Sequence, residues 1–280
     1  MQERIVVGVT DAAASRRAVD WAVDRAALRG DRLEFISVIG GALGAVGEGQ
    51  AVEEALQVKQ SMLDVEAERV RARGVPVETR VERGDPVARL IEASEAAALL
   101  VIGSDYRGPD SGPDRGPHGI AITAGAHCPV AVVPDLDLVG RAGVIVGADG
   151  SEVSELAIAF AASEADRLGE PLTAVSTWSP VPLTLGIRSY PQGYLENMQK
   201  LTEEALAISI AGIAQTYPDV EVRRVVERDS RPDVVINRLA LHARLTVIGS
   251  HGRGPVARFI LGSTSQQVLT RLATTTVVVR

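Results

Sequence analysis

The sequence predicts two α/β domains in tandem, each a doubly wound sheet of five parallel strands with helices on both faces. Three observations carry this expectation. The chain has 280 residues, about twice the usual single domain. It contains one long internal repeat. Within each repeat, short and near-continuously apolar runs alternate with helical segments, the pattern of a parallel sheet covered on both sides.

The repeat is direct. Residues 101–109, VIGSDYRGP, and residues 247–255, VIGSHGRGP, are identical at seven of nine positions. Upstream, RIVVGVTDAAASRRAVDWA (4–22) parallels GVIVGADGSEVSELAIAFA (143–161), with Gly8 facing Gly147 and Ser15 facing Ser154. Trp21 then faces Phe160, Gly30 faces Gly169, Leu33 faces Leu172 and Ser37 faces Ser176. The offset grows from 139 to 146, so the second repeat has a net insertion of seven residues, placed in the Pro-rich stretch Ser179–Gly193. Repeats this long are duplicated domains rather than solenoid units. The domains are expected over residues 1–136 and 142–280, meeting near Pro134–Gly143.

Each element has its own signal. Ile5–Val9 is an apolar run suited to a strand buried on both faces. Ser15 is the expected N-cap of the first helix, whose Ala18, Trp21, Ala22 and Ala26 share a face. Gly30 closes that helix, and Leu33–Ile39 is the second strand. A long helix is expected over about residues 50–73, ending before Gly74. Val77–Glu82 is the third strand, residues 86–97 a helix, and Leu99–Gly103 the fourth strand. After a Gly-rich connection and a short helix, Pro129–Val133 is the fifth. The second repeat runs the same course and ends in Thr276–Val279. The stretch GGALGAVGEG (40–49) reads as a mobile loop.

Composition narrows the function classes. Hydrophobic residues make up 46% of the chain but aromatic residues only 3%, so the core is built from Val, Ile, Leu and Ala. The charged fraction of 23% argues against wholesale disorder. A net charge of −7 opposes a broad nucleic-acid footprint, which needs a clustered cationic surface. The single cysteine, Cys128, excludes an internal disulfide framework and a Cys-based zinc cluster. Preceding a buried strand, it reads as an inert structural thiol. The longest apolar run, Ala96–Ile102, is far below the roughly 20 residues that span a bilayer. With no export signal, the expected compartment is the cytoplasm and no membrane partner is expected.

One segment carries chemistry. GSHGRGPVARFILGS, Gly249 to Ser263, places Gly252 three residues after Gly249 and Gly262-Ser263 ten residues beyond that. It follows the apolar strand Leu245–Ile248 and leads into an expected helix, Ser263–Leu272. Glycines let backbone approach an anion, and the free N–H groups of a helix start point at it. Ser263 adds a hydroxyl for a phosphate or its Mg²⁺. From Gly249 to Arg280 there is no acidic residue, while His251, Arg253, Arg258 and Arg271 are present. The segment is neither a P-loop, since GK[ST] is missing, nor the G-x-G-x-x-G dinucleotide fingerprint.

This glycine spacing, with the first-strand segment GADGS (147–151), resembles the universal stress protein family, and the resemblance covers essentially the whole chain. It implies a Rossmann-like, adenine nucleotide α-hydrolase-like fold of five parallel strands per domain, with ATP and Mg²⁺ as ligands. Under it, Gly147 and Asp149 at the tip of the first strand and Thr177 at the end of the second would line the adenine pocket. Gly249 would lie beside the ribose. Gly252, Gly262, Ser263 and Thr264 would hold the phosphates. The last strands of the repeats would pair with each other, and chains would associate further into a homo-oligomer through such edges. Asp149 has a second reading as the group that shapes the turn into its helix.

The first repeat departs at each of these positions. Thr10 stands for Asp149, with Asp11 beside it as a possible substitute. Tyr106 stands for Gly252, bringing a large side chain where backbone should approach phosphate. Gly116-Pro117 stands for Gly262-Ser263, and proline has no N–H to offer. Asp105, Asp110 and Asp114 add like charge against a triphosphate. The first repeat thus reads as a degenerate copy. Three functions follow for the chain: an ATP-binding stress-response regulator with an unidentified protein partner, a slow ATP hydrolase, or a nucleotide-free interaction module. No catalytic residue is assigned.

Overall fold

A computed structural model describes residues 2–40, 49–104, 106, 118–181, 189–252 and 261–280. The stretch expected as a mobile loop and half of the Ser179–Gly193 insertion lie largely outside these residues. The chain divides into two compact units, Met1–Asp137 and Leu138–Arg280.

The first domain runs β1 (Arg4–Gly8), α1 (Ala13–Arg29), β2 (Arg32–Ile39), α2 (Gly49–Arg71), β3 (Val77–Arg83), α3 (Pro86–Ser94), β4 (Leu99–Ser104), α4 (His118–Gly125) and β5 (Val130–Pro134). Its strands lie in the order β3-β2-β1-β4-β5, all parallel. The second runs β6 (Val144–Gly147), α5 (Glu152–Leu168), β7 (Leu172–Trp178), α6 (Tyr194–Ile210), α7 (Ile213–Thr216), β8 (Val222–Arg228), α8 (Pro232–Ala240), β9 (Leu245–Gly249), α9 (Ser263–Thr270) and β10 (Thr275–Val279). Its order is β8-β7-β6-β9-β10, again parallel throughout. Both domains are therefore doubly wound five-stranded sheets, as the sequence pattern predicts.

The patterning explains the layering. Ile5, Val6 and Val7 of β1 are wholly buried, because helices cover both faces of that strand. β3, at the margin of its sheet, instead alternates Val77 and Thr79 with exposed Glu78 and Arg80. On α1, Ala18, Ala22 and Ala26 recur every fourth residue and are buried; on α5, Ala157, Ala161 and Ala165 do the same. A stripe of methyl groups lets each helix lie close on its sheet. Both helices end in a left-handed glycine, Gly30 at φ 72° and Gly169 at φ 63°, the conformation glycine adopts without a Cβ penalty.

One start signal was misleading. α1 begins at Ala13 with Ala12 as its cap, so Ser15 lies inside the first turn and is not the N-cap. Its buried Oγ accepts a hydrogen bond from the Thr10 N–H at 2.8 Å instead. In the second domain Ser154 Oγ accepts from the Asp149 N–H at 3.3 Å. The hydroxyl fastens the end of the first strand to the first helix in both copies. Cys128 is buried, Trp178 is buried and Trp21 half-buried, as structural roles for them require.

Candidate functional site

In a doubly wound sheet the chain leaves the first strand toward one edge and later returns to its other side. The loops at that switch point diverge and leave a crevice beyond the carboxyl ends of the strands. In the second domain the switch lies between β6 and β9, and there a cavity of about 320 Å³ opens. All eight residues singled out in the sequence line it. Gly147 ends β6 and Asp149 follows it; Thr177 lies near the end of β7; Gly249 ends β9. Gly252, from the loop after β9, joins Gly262, Ser263 and Thr264 at the start of α9. These positions span 118 residues of sequence and meet because three strands end side by side.

Asp149 fulfils its turn-shaping reading while lining the cavity. Its Oδ1 accepts from the Ser151 N–H at 3.0 Å and from the Ser151 hydroxyl at 2.7 Å. Ser151 in turn caps α5, its Oγ accepting from the Ser154 N–H at 3.2 Å. Ser151→Ala is expected to cost about 1 kcal/mol, the usual value of an N-cap. A lowered urea midpoint of the second domain's transition would report it. The other carboxylate oxygen, Oδ2, faces Gly252 so closely that a Cβ on residue 252 would collide with it.

The start of α9 supplies donors. Its N-cap is Gly262, which offers no side-chain cap, so the N–H groups of Ser263, Thr264 and Ser265 lie in a first turn without one. The Gly262 N–H donates to the Ser250 carbonyl at 2.7 Å, and the Ser265 hydroxyl to the Gly249 carbonyl at 2.6 Å. These bonds fix the helix start against the end of β9. His251 also lines the cavity, with Nδ1 2.9 Å from Ser250 Oγ. Asp149 is the one carboxylate among the described residues that line it. Arg253 and Arg258, the expected cationic flank, lie outside the described residues.

The sequence reading missed one wall. Pro232 and Ile236 of α8, with Val175 and Ile248, give the cavity an apolar side. Such residues look like ordinary core by spacing. The signal that could have found them is the duplication: Pro86 and Leu90 occupy the matching places in α3.

The decisive substitutions of the first repeat are only partly within the described residues. Asp105, Asp110, Asp114 and Gly116-Pro117 lie outside them. Tyr106 is buried, 4% exposed. Asp11, the candidate substitute for Asp149, is ion-paired to Lys59 Nζ at 2.7 Å. It does not line the first domain's switch-point cavity.

Fold and site together define a tandem α/β protein with a glycine-lined crevice at the switch point of its second sheet. The chain belongs to the universal stress protein family, whose model matches residues 1–134 and again 143–280. Universal stress protein Rv2005c of Mycobacterium tuberculosis is 35% identical over 281 residues, covering 96% of this chain and 94% of that one. Universal stress protein Rv2623 of the same organism is 33% identical, covering 98% and 95%. The crystal structure of a universal stress protein from Archaeoglobus fulgidus superposes with a TM-score of 0.71 at 22% identity, covering 99% of this chain and 98% of that one. Among the described residues, no helix is long and apolar enough to cross a membrane.

Proposed function

We propose that the second domain binds ATP and that the chain acts as a nucleotide-responsive regulator in a stress response. The observation that supports this is the convergence of Gly147, Asp149, Thr177, Gly249, Gly252, Gly262, Ser263 and Thr264 on one cavity. The site has an apolar side for a base and an uncapped helix start for phosphate. The acid-free run from Gly249 onward presents no like charge to a triphosphate.

The residues fit such a ligand in a further respect. A Cβ on Gly262 would approach His251 Cα to 3.2 Å and the Ser250 carbonyl to 3.4 Å, so glycine lets the start of α9 lie close against the chain leaving β9. Among the described residues no three His, Cys, Asp or Glu side chains converge to hold a metal. Mg²⁺ would therefore arrive on the phosphate oxygens, with the Ser263 hydroxyl as a protein ligand. Bound there, it would neutralise phosphate charge.

Turnover is expected to be slow. Phosphoryl transfer to water needs a group that orients the nucleophile, and Asp149, the one carboxylate in the described lining, has Oδ1 committed to Ser151. Chromatography of the denatured, freshly purified chain is expected to release adenine nucleotide. Phosphate release at saturating ATP measures hydrolysis separately. Protein that yields no nucleotide and takes up none in calorimetry would leave the interaction-module reading in its place.

A further inference from the structure

The first domain also has a cavity at its switch point, of about 340 Å³. It is the counterpart of the site above and shares most of its lining positions. Gly8, Ser15 and Gly103 line it where Gly147, Ser154 and Gly249 line the other. Pro86 and Leu90 of α3 form the wall that Pro232 and Ile236 of α8 form in the second domain. Duplication has kept the container at nearly the same volume.

Three lining positions have become less polar, while His118 stands where Thr264 does. Thr10 replaces Asp149, Val38 replaces Thr177, and Gly119 replaces Ser265. Val9, Ile36, Val38, Leu90, Ile102 and Ile122 dominate the walls; Thr10, Ser15, Ser104 and the exposed His118 are the polar side chains, and no Asp, Glu, Lys or Arg is among the described residues that line them. Tyr106, at the position of Gly252, does not line this cavity. The space has therefore not been filled by that substitution.

A cavity of this size is within the range of small-molecule sites. Apolar walls favour an apolar occupant, and Thr10, Ser15, Ser104 and His118 offer it a few polar contacts. A charged ligand would meet no carboxylate, ammonium or guanidinium among these residues. We propose that the first domain binds an uncharged, predominantly apolar small molecule in this cavity. The proposal rests on the first domain alone and holds whether or not the second binds ATP.

The probe is N-phenyl-1-naphthylamine, an uncharged dye whose emission rises in apolar surroundings, titrated into the full chain. One saturable site is expected, and excess ATP with Mg²⁺ should not displace the dye. A Cβ on Gly119, a lining residue, would meet only Ile102 Cδ1, at 3.9 Å, so Gly119→Phe adds bulk at the cavity from a position where the first side-chain atom meets no backbone. Val38→Asp places a carboxylate on its wall. Each is expected to weaken the dye by at least about tenfold, with far-ultraviolet circular dichroism showing that the variant is folded. Thr177→Phe, in the other cavity, should leave the titration unchanged. Absence of saturable binding overturns the proposal. So does displacement by ATP, loss of binding in Thr177→Phe, or full binding in folded Gly119→Phe or Val38→Asp.

Discussion

Gly252→Tyr is expected to abolish ATP binding to the full chain, whereas Tyr106→Ala should leave it nearly unchanged. Even the first atom of a side chain at residue 252 would collide with Asp149 Oδ2. To swing aside, that carboxylate would have to give up the two bonds that Ser151, the residue that caps α5, makes to Oδ1. The aromatic ring would then compete for a cavity of only about 320 Å³. Each hydrogen bond lost from a charged phosphate costs about 1.5–3 kcal/mol, and each 1.4 kcal/mol is tenfold in affinity. Two such losses give at least about a hundredfold. Calorimetric titration of nucleotide-stripped protein is expected to show one equivalent of ATP per chain. Two equivalent sites, or a site surviving in Gly252→Tyr, would falsify the assignment to the second domain.

Gly103→Ala is expected to destabilise the first domain by about 3 kcal/mol, the upper part of the usual range for overpacking. A Cβ there would sit 2.6 Å from both C and O of Ala14 and 2.9 Å from the Ser15 nitrogen. These are backbone atoms in the first turn of α1, so no change of rotamer relieves them. The helix itself must shift, and with it the alanine stripe that seats it on the sheet. The matching glycine of the second domain tests the reasoning internally. At Gly249 the nearest atom is Val153 Cγ1 at 3.0 Å, a side-chain methyl that can give way, so Gly249→Ala should cost less. Urea unfolding followed by circular dichroism measures both. Equal midpoints for the two variants would show that helix and sheet adjust more freely than this geometry implies.

The strands were the most legible part of the sequence. Runs such as Ile5–Val7 and Leu99–Ile102 are apolar without interruption because both of their faces are buried, and no surface helix needs such a pattern. The start of α1 was less legible. A serine hydroxyl suits an N-cap, but Ser15 is spent on the Thr10 N–H, a tertiary use that local preference does not encode. Gly249, Gly252, Gly262, Ser263 and Thr264 were legible because glycine spacing and the end of an apolar strand coincide in one segment, whereas Gly147, Asp149 and Thr177 came with the family resemblance. The wall from α8 was not, since Ile236 has the spacing and burial of a core residue until the switch point places it beside the crevice. Asp149 had two readings in the sequence, and the structure places the turn-shaping carboxylate on the cavity's edge.

The hydroxyl clasp between first strand and first helix has a kinetic consequence. Ser154 holds the Asp149 backbone by a bond internal to the protein, as Ser15 holds Thr10. This stretch of the cavity's border thus owes its conformation to the chain rather than to its occupant, and an arriving molecule forfeits no affinity to immobilise it. For this border, association is governed by the frequency of well-oriented encounters. Differences in affinity among ligands that touch it should accordingly reside in how long each one stays.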